Sequence, residues 1–103
     1  MKIIKPETYT GSTSWDALPI DNIDNASIKL HWTSAPYKWH VNDGPEVFVV
    51  LRGQVEMRTR QNSKVVSYQL NEGDIFHAED GDEHVAHPVG EARVLVIERT
   101  GSI

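Results

Sequence analysis

The sequence predicts an all-β domain, an antiparallel sandwich, jelly roll or barrel, on three observations. From about Ala26 onward, short runs rich in Val, Ile, Tyr, Phe, Trp and Thr follow one another. Clusters of Gly, Pro, Asn, Asp and Ser punctuate them, which is the chemistry of turns. No window of about 11 residues or more carries an apolar period of 3.6, so no helix intervenes to make a parallel sheet.

Residues 1–26 form a lead with weak periodicity, marked by Pro6, Gly11 and Pro19. Trp15, Leu18 and Ile20 are its anchors, as a loop or as an edge strand, packing on the barrel or on a partner subunit. The domain proper is 27–103. It opens with "SIKLHWT" (27–33), where Ile28, Leu30 and Trp32 alternate against Lys29 and His31, the period of a half-buried strand. "YKWHV" (37–41) follows the Ala35-Pro36 turn, and "EVFVVL" (46–51) follows Asp43-Gly44-Pro45. After Arg52-Gly53 comes "QVEMRT" (54–59), with Val55 and Met57 on one face and Glu56, Arg58 and Arg60 on the other. "KVVSYQL" (64–70), "DIFHA" (74–78), "HVAH" (84–87) and "ARVLVIER" (92–99) complete the set, separated by Gln61-Asn62-Ser63, Asn71-Glu72-Gly73, Asp80-Gly81-Asp82 and Gly90. "EVFVVL" and "ARVLVI" are apolar on both faces, so their outer sides need cover. The lead or a second copy of the chain would supply it, and a homodimer is the expected assembly.

The bulk numbers exclude several classes. At 103 residues the chain holds one modest core. It has no cysteine, which removes disulfides, thiolate zinc sites and cysteine nucleophiles. A net charge of −5 argues against a nucleic-acid partner, which needs a clustered basic face. The N-terminus "MKIIKPETYTG" has no apolar region long enough for a signal peptide, and no stretch approaches the roughly 18 apolar residues of a membrane span. We expect a cytoplasmic protein with no membrane partner. "AEDGDEH" (78–84) is strongly acidic, a solvated loop that also forms a rim favouring cations.

Chemistry concentrates in two places. His40, Asn42 and Glu46 lie just ahead of "VFVVL", at even offsets that point one way in an extended chain. His84 follows a glycine turn and opens another β run. Two histidines and a carboxylate from separate strands suit a divalent metal. The two segments resemble the two motifs of the cupin superfamily. "SAPYKWHVNDGPEVFVVLRG" aligns Ser34, His40, Asn42, Glu46 and Gly53 with the first. "GDIFHAEDGDEHVAHP" aligns Gly73, Glu79, Gly81, His84 and Pro88 with the second.

The resemblance implies a double-stranded β-helix, or jelly-roll barrel, a small single-domain cupin of the conserved-barrel type. It also implies a metal site of His40, Asn42, Glu46 and His84 for Mn, Fe, Zn or Ni. Asn42 stands where the family motif carries a second histidine. An amide oxygen is a weaker ligand than imidazole for these metals, and Asn42 is equally readable as fourth ligand, as hydrogen-bond donor beside the ligands, or as outward-facing. Ser34, Glu79 and Pro88 also depart from the motifs.

Two functional classes follow for a small-molecule partner: a metal-dependent enzyme such as a dioxygenase, isomerase or lyase, or a non-catalytic ligand-binding or sensing module. Among the remaining candidates, His77 reads as a structural histidine or pocket acid–base, His87 as outward, and His31 as solvent-side or pocket rim. Trp32, Tyr37 and Trp39 read as core or interface aromatics. Tyr37 and Trp39 are also placed at the mouth, where they would stack on a ring.

Overall fold

The computed structural model describes residues 1–102. After one 3-10 turn, Pro6–Thr8, the described residues form seven strands. They are β1 (Asp16–Ile23), β2 (Ala26–Thr33), β3 (His40–Val41), β4 (Glu46–Gln61), β5 (Lys64–Leu70), β6 (Ile75–Ala78) and β7 (Glu83–Arg99), all paired antiparallel. The order is β1-β2-β7-β4-β5, with β3 beside β7 and β6 beside β4. Among the described residues no helix is long and apolar enough to cross a membrane.

Two expected turns are bends within single long strands. "EVFVVL" and "QVEMRT" run on as β4, and "HVAH" and "ARVLVIER" as β7. The β4–β7 register slips on either side of Arg52, where Gly53 takes φ 85°, and β7 bends at Gly90 with φ 71°. A bulge changes a strand's direction without ending its pairing. Each long strand therefore serves two layers. The first half of β4 and second half of β7 join β1, β2 and β6, while their other halves join β3 and β5.

The core lies between the layers. Phe48, Val50, Val94 and Val96 from one layer meet Val55, Met57, Leu70 and Ala86 from the other. Val50, Val55, Met57 and Val94 are fully buried, each stabilising the fold by about 1.5–3 kcal/mol relative to exposure. Val55 and Met57 face in while Glu56 and Arg58 pair with each other on the outside, as the alternation predicts. The outer face is also apolar: Leu18, Leu30, Leu95, Val49 and Ile75 form one row across β1, β2, β7, β4 and β6. Residues 16–23 of the lead supply its edge strand. Upstream, the Arg93 guanidinium donates from Nε to the Tyr9 carbonyl (2.8 Å) and from Nη2 to Thr10 Oγ1 (3.1 Å).

Candidate metal centre

Both layers contribute to a cluster at one end of the barrel. His40 sits on β3 directly opposite His84 on β7, and Thr59 of β4 flanks His84 on its other side. Glu46 begins β4 in the opposing layer, on the inward side it shares with Phe48 and Val50. It faces Glu98 of β7 across the sheet. Ligand atoms of His40, Glu46 and His84 all lie within 4.8 Å of one another.

The even spacing of the first motif does not describe one strand. The chain leaves β3 after Val41 and turns through Asp43, Gly44 and Pro45 before β4 begins. Asn42 lies in this crossing, gripped by the acidic loop: its N–H donates to the Asp82 carbonyl (2.8 Å), and its carbonyl accepts from Gly81 N–H (2.9 Å). The loop is braced in turn by Asp82 Oδ2 accepting from Glu79 N–H (2.8 Å). The segment carrying His84 thus fixes Asn42 and turns its side chain inward, where it is buried. Asn42 is not outward-facing.

The hydrogen bonds define the donor set. His84 Nε2–H donates to Asn42 Oδ1 (2.7 Å) and Glu46 Oε1 (3.1 Å). Asn42 Nδ2 donates to the Gly44 carbonyl (3.2 Å) and reaches Glu46 Oε1 at 3.4 Å, which fixes its amide orientation. His40 Nδ1–H donates to the Lys38 carbonyl (3.1 Å), leaving Nε2 as that ring's lone-pair nitrogen. His84 Nδ1 is buried without a partner among the described residues. That ring is oriented from its Nε2 side and by packing against His40 (4.4 Å between centroids) and Phe76 (5.2 Å). Two imidazoles, a carboxylate and an amide oxygen make a donor set suited to a divalent first-row ion. Both partners of His84 Nε2 are acceptors, so His84, once it gives up that proton, would offer a lone pair beside Glu46 and Asn42 to a metal ion.

Burial pushes the Glu46 carboxyl upward. The hydrogen bond and charge of His84, the Asn42 amide and the charge of His40 outweigh it and hold the group below its ordinary value. Glu98 moves the other way, raised by burial and then by the Glu46 charge, with Lys29 pulling it back.

A cavity of about 130 Å³ opens beside the cluster. His40, Glu46 and His84 form one end, Trp15, Tyr37, Phe48, Ala86 and Val96 its apolar wall, and His31 and Glu98 its other polar groups. Trp15 has φ 67°, a backbone state that costs a non-glycine residue about 1–2 kcal/mol. Three bonds hold it there: Trp15 N–H to the Trp32 carbonyl (2.8 Å), Trp15 Nε1–H to the Ala35 carbonyl (2.8 Å), and His31 Nδ1–H to the Trp15 carbonyl (3.1 Å).

No sequence-family model matches the chain, and no curated protein does. Solved structures do match in fold. A cupin-2 domain protein from Shewanella frigidimarina superposes with a TM-score of 0.77 at 22% identity, covering 90% of this chain and 86% of that one. A cupin superfamily protein from Desulfitobacterium hafniense gives 0.75 at 13%, covering 96% and 92%. The chain folds as a cupin. An Fe(II) form of HppE in complex with its substrate also matches, with a TM-score of 0.69 at 16% identity over 81% of this chain and 53% of that one.

Within this cupin fold the other sequence candidates separate. Tyr37 joins the wall, edge-on to Trp15 (5.3 Å) and His40 (5.6 Å). Trp39 does not line the cavity, and the Arg60 guanidinium lies over its ring at 4.4 Å. His77 shares the outer face with Ile75 and is exposed, opposite Val47, so it is no core histidine. It does not line the cavity beside the cluster but borders a second cavity of about 380 Å³ that His84 also lines. His87 faces Glu56 on the outer side, as expected. His31 faces the cavity rather than solvent. Glu98 and the wall role of Trp15 were not anticipated. The signal for Glu98 is parity: it continues the inward series Val94, Val96 as Glu46 begins the series Phe48, Val50.

Proposed function

We propose that this chain binds one divalent metal ion, Mn, Fe, Zn or Ni, through His40, Glu46 and His84, with Asn42 as fourth ligand or as the amide that orients Glu46 and His84. A small organic molecule would lie against it in the cavity. The observation that carries this reading is the convergence of the three donors within 4.8 Å beside an accessible cavity. When bound, the metal would act as a Lewis acid or O₂-binding centre. The chain's own groups would bind and orient the substrate, with Trp15, Tyr37 and Phe48 excluding water from one side of it. The fold match to an Fe(II) form of HppE agrees with a metal-dependent enzyme, and fold alone does not select the reaction.

Asn42 favours the second reading, a metal-assisted binding or sensing module, since it weakens the ligand set. Metal-dependent turnover with O₂ uptake or substrate isomerisation separates the first from the second, which binds ligand without turnover. We retain a cytoplasmic homodimer as the assembly. Its support is the apolar outer face, where Val47, Val49, Leu95 and Ile97 are only half-buried and Ile75 is exposed.

Adding each metal to chelator-stripped protein tests the reading. A hundredfold excess over Kd stabilises the folded state by about 2.7 kcal/mol. At roughly 4–8 °C per kcal/mol for a domain of this size, the melting temperature should rise by about 10–20 °C with at least one of the four ions. No rise with any of them overturns the proposal.

A further inference from the structure

Glu98 has no role in the metal set, yet it lines the same cavity. Its carboxylate forms no side-chain hydrogen bond and no ion pair among the described residues. No Lys or Arg lines the cavity, and the chain as a whole carries −5. Lys29, on the neighbouring strand, draws on Glu98 only from a distance. A half-buried carboxylate in an apolar-walled space calls for a positive or N–H-bearing partner. Such a partner would relieve both the burial and the Glu46 charge that now bear on Glu98.

The rest of the cavity limits what that partner is attached to. Trp15, Tyr37 and Phe48 present aromatic surface, and Trp15 is fixed in a strained backbone state by three hydrogen bonds. Strain held this firmly beside a cavity marks a preformed wall. The volume of about 130 Å³ is near the roughly 150 Å³ of an engineered cavity that takes benzene, so one ring with a short substituent fits.

Resting on the metal-site reading and extending it, we propose that the cavity selects a small ring-bearing amine. Glu98 is its specificity-determining residue, and Trp15 and Tyr37 are its ring contacts. In the metal-free protein anionic ligands are rejected, because neither Glu98 nor Glu46 meets a Lys or Arg in the cavity lining.

The test titrates benzylamine, benzyl alcohol and benzoate into full-length protein, following the Trp15 side-chain N–H by NMR. Wild type should bind benzylamine about tenfold tighter than benzyl alcohol, the difference expected of one charge-assisted bond, and benzoate most weakly. Glu98→Gln should bring benzylamine and benzyl alcohol within about threefold of each other. The three probes are titrated into chelator-stripped protein, so that metal coordination by them does not enter, and metal uptake is measured on a separate sample. Benzoate binding as tightly as benzylamine in wild type overturns the proposal whether or not the variant folds, and so does an amine preference that survives in Glu98→Gln. Amine preference in protein that takes up no metal overturns the metal reading alone. Bound metal without amine preference overturns this inference alone.

Discussion

Glu46→Gln is expected to lower metal affinity by about a hundredfold or more, above the 10–100-fold typical of removing a supporting hydrogen bond. The substitution keeps the size of the side chain and one acceptor oxygen but removes the only anion among His40, Asn42, Glu46 and His84. Calorimetric titration of the stripped proteins reads the change directly. A second signature belongs to the metal-free state. Although burial pushes the Glu46 carboxyl up, His84, Asn42 and His40 bring it below its ordinary value of 4.5. A depressed folded value means that the ionised group contributes stability above that ordinary value and loses it as pH falls through the folded one. The melting-temperature difference between metal-free wild type and Glu46→Gln should therefore shift toward the variant as pH drops below 4.5. An unchanged difference across that range would detach Glu46 from His84.

Gly53→Ala is expected to destabilise the fold by about 2–5 kcal/mol, combining roughly 1–2 kcal/mol of backbone strain with 1–3 kcal/mol of overpacking. Gly53 sits at φ 85°, and a Cβ there would lie 2.4 Å from the Glu91 carbonyl oxygen and 3.1 Å from Ala92 Cα. Both are backbone atoms of β7, held in the ladder that lets β4 and β7 change layers together, so neither can yield cheaply. At about 4–8 °C per kcal/mol, the loss in melting temperature should be roughly 8–40 °C. Gly81→Ala is the control. Its φ is 88° but nothing lies within 4 Å of the added Cβ, so only backbone strain remains. Equal losses at the two positions would remove the close approach at Gly53 as the reason for glycine there.

Much of the architecture was legible because side-chain alternation is local. The sequence of β2 and of the second half of β4 each carried its own period, and their turn residues bounded them. The joins were not legible. Arg52-Gly53 and Gly90 read as turns, since positive-φ glycines serve turns and bulges alike, and only the pairing partner distinguishes them. At the site, His40, Glu46 and His84 were found by matching motif residues, and the structure brings all three together. The cause assigned to their convergence was incomplete: even spacing implied one strand face, whereas His40 and Glu46 stand on separate strands in opposing layers. Asn42 needed tertiary information, because its inward turn depends on bonds to Gly81 and Asp82, some forty residues away in sequence. Glu98 was overlooked although its parity with Val94 and Val96 was readable. Trp39 was placed at the mouth beside Tyr37, whereas only Tyr37 lines the cavity.

The central claim, that His40, Glu46 and His84 form one divalent metal centre, is tested most directly by metal content. Wild type and His84→Ala should be stripped, reloaded in parallel with Mn, Fe, Zn or Ni, desalted and measured by elemental analysis. The account predicts about one ion per chain in wild type for at least one metal, with loss of nearly all of it in the variant. Metal-free wild type, or equal metal in both proteins, would contradict it.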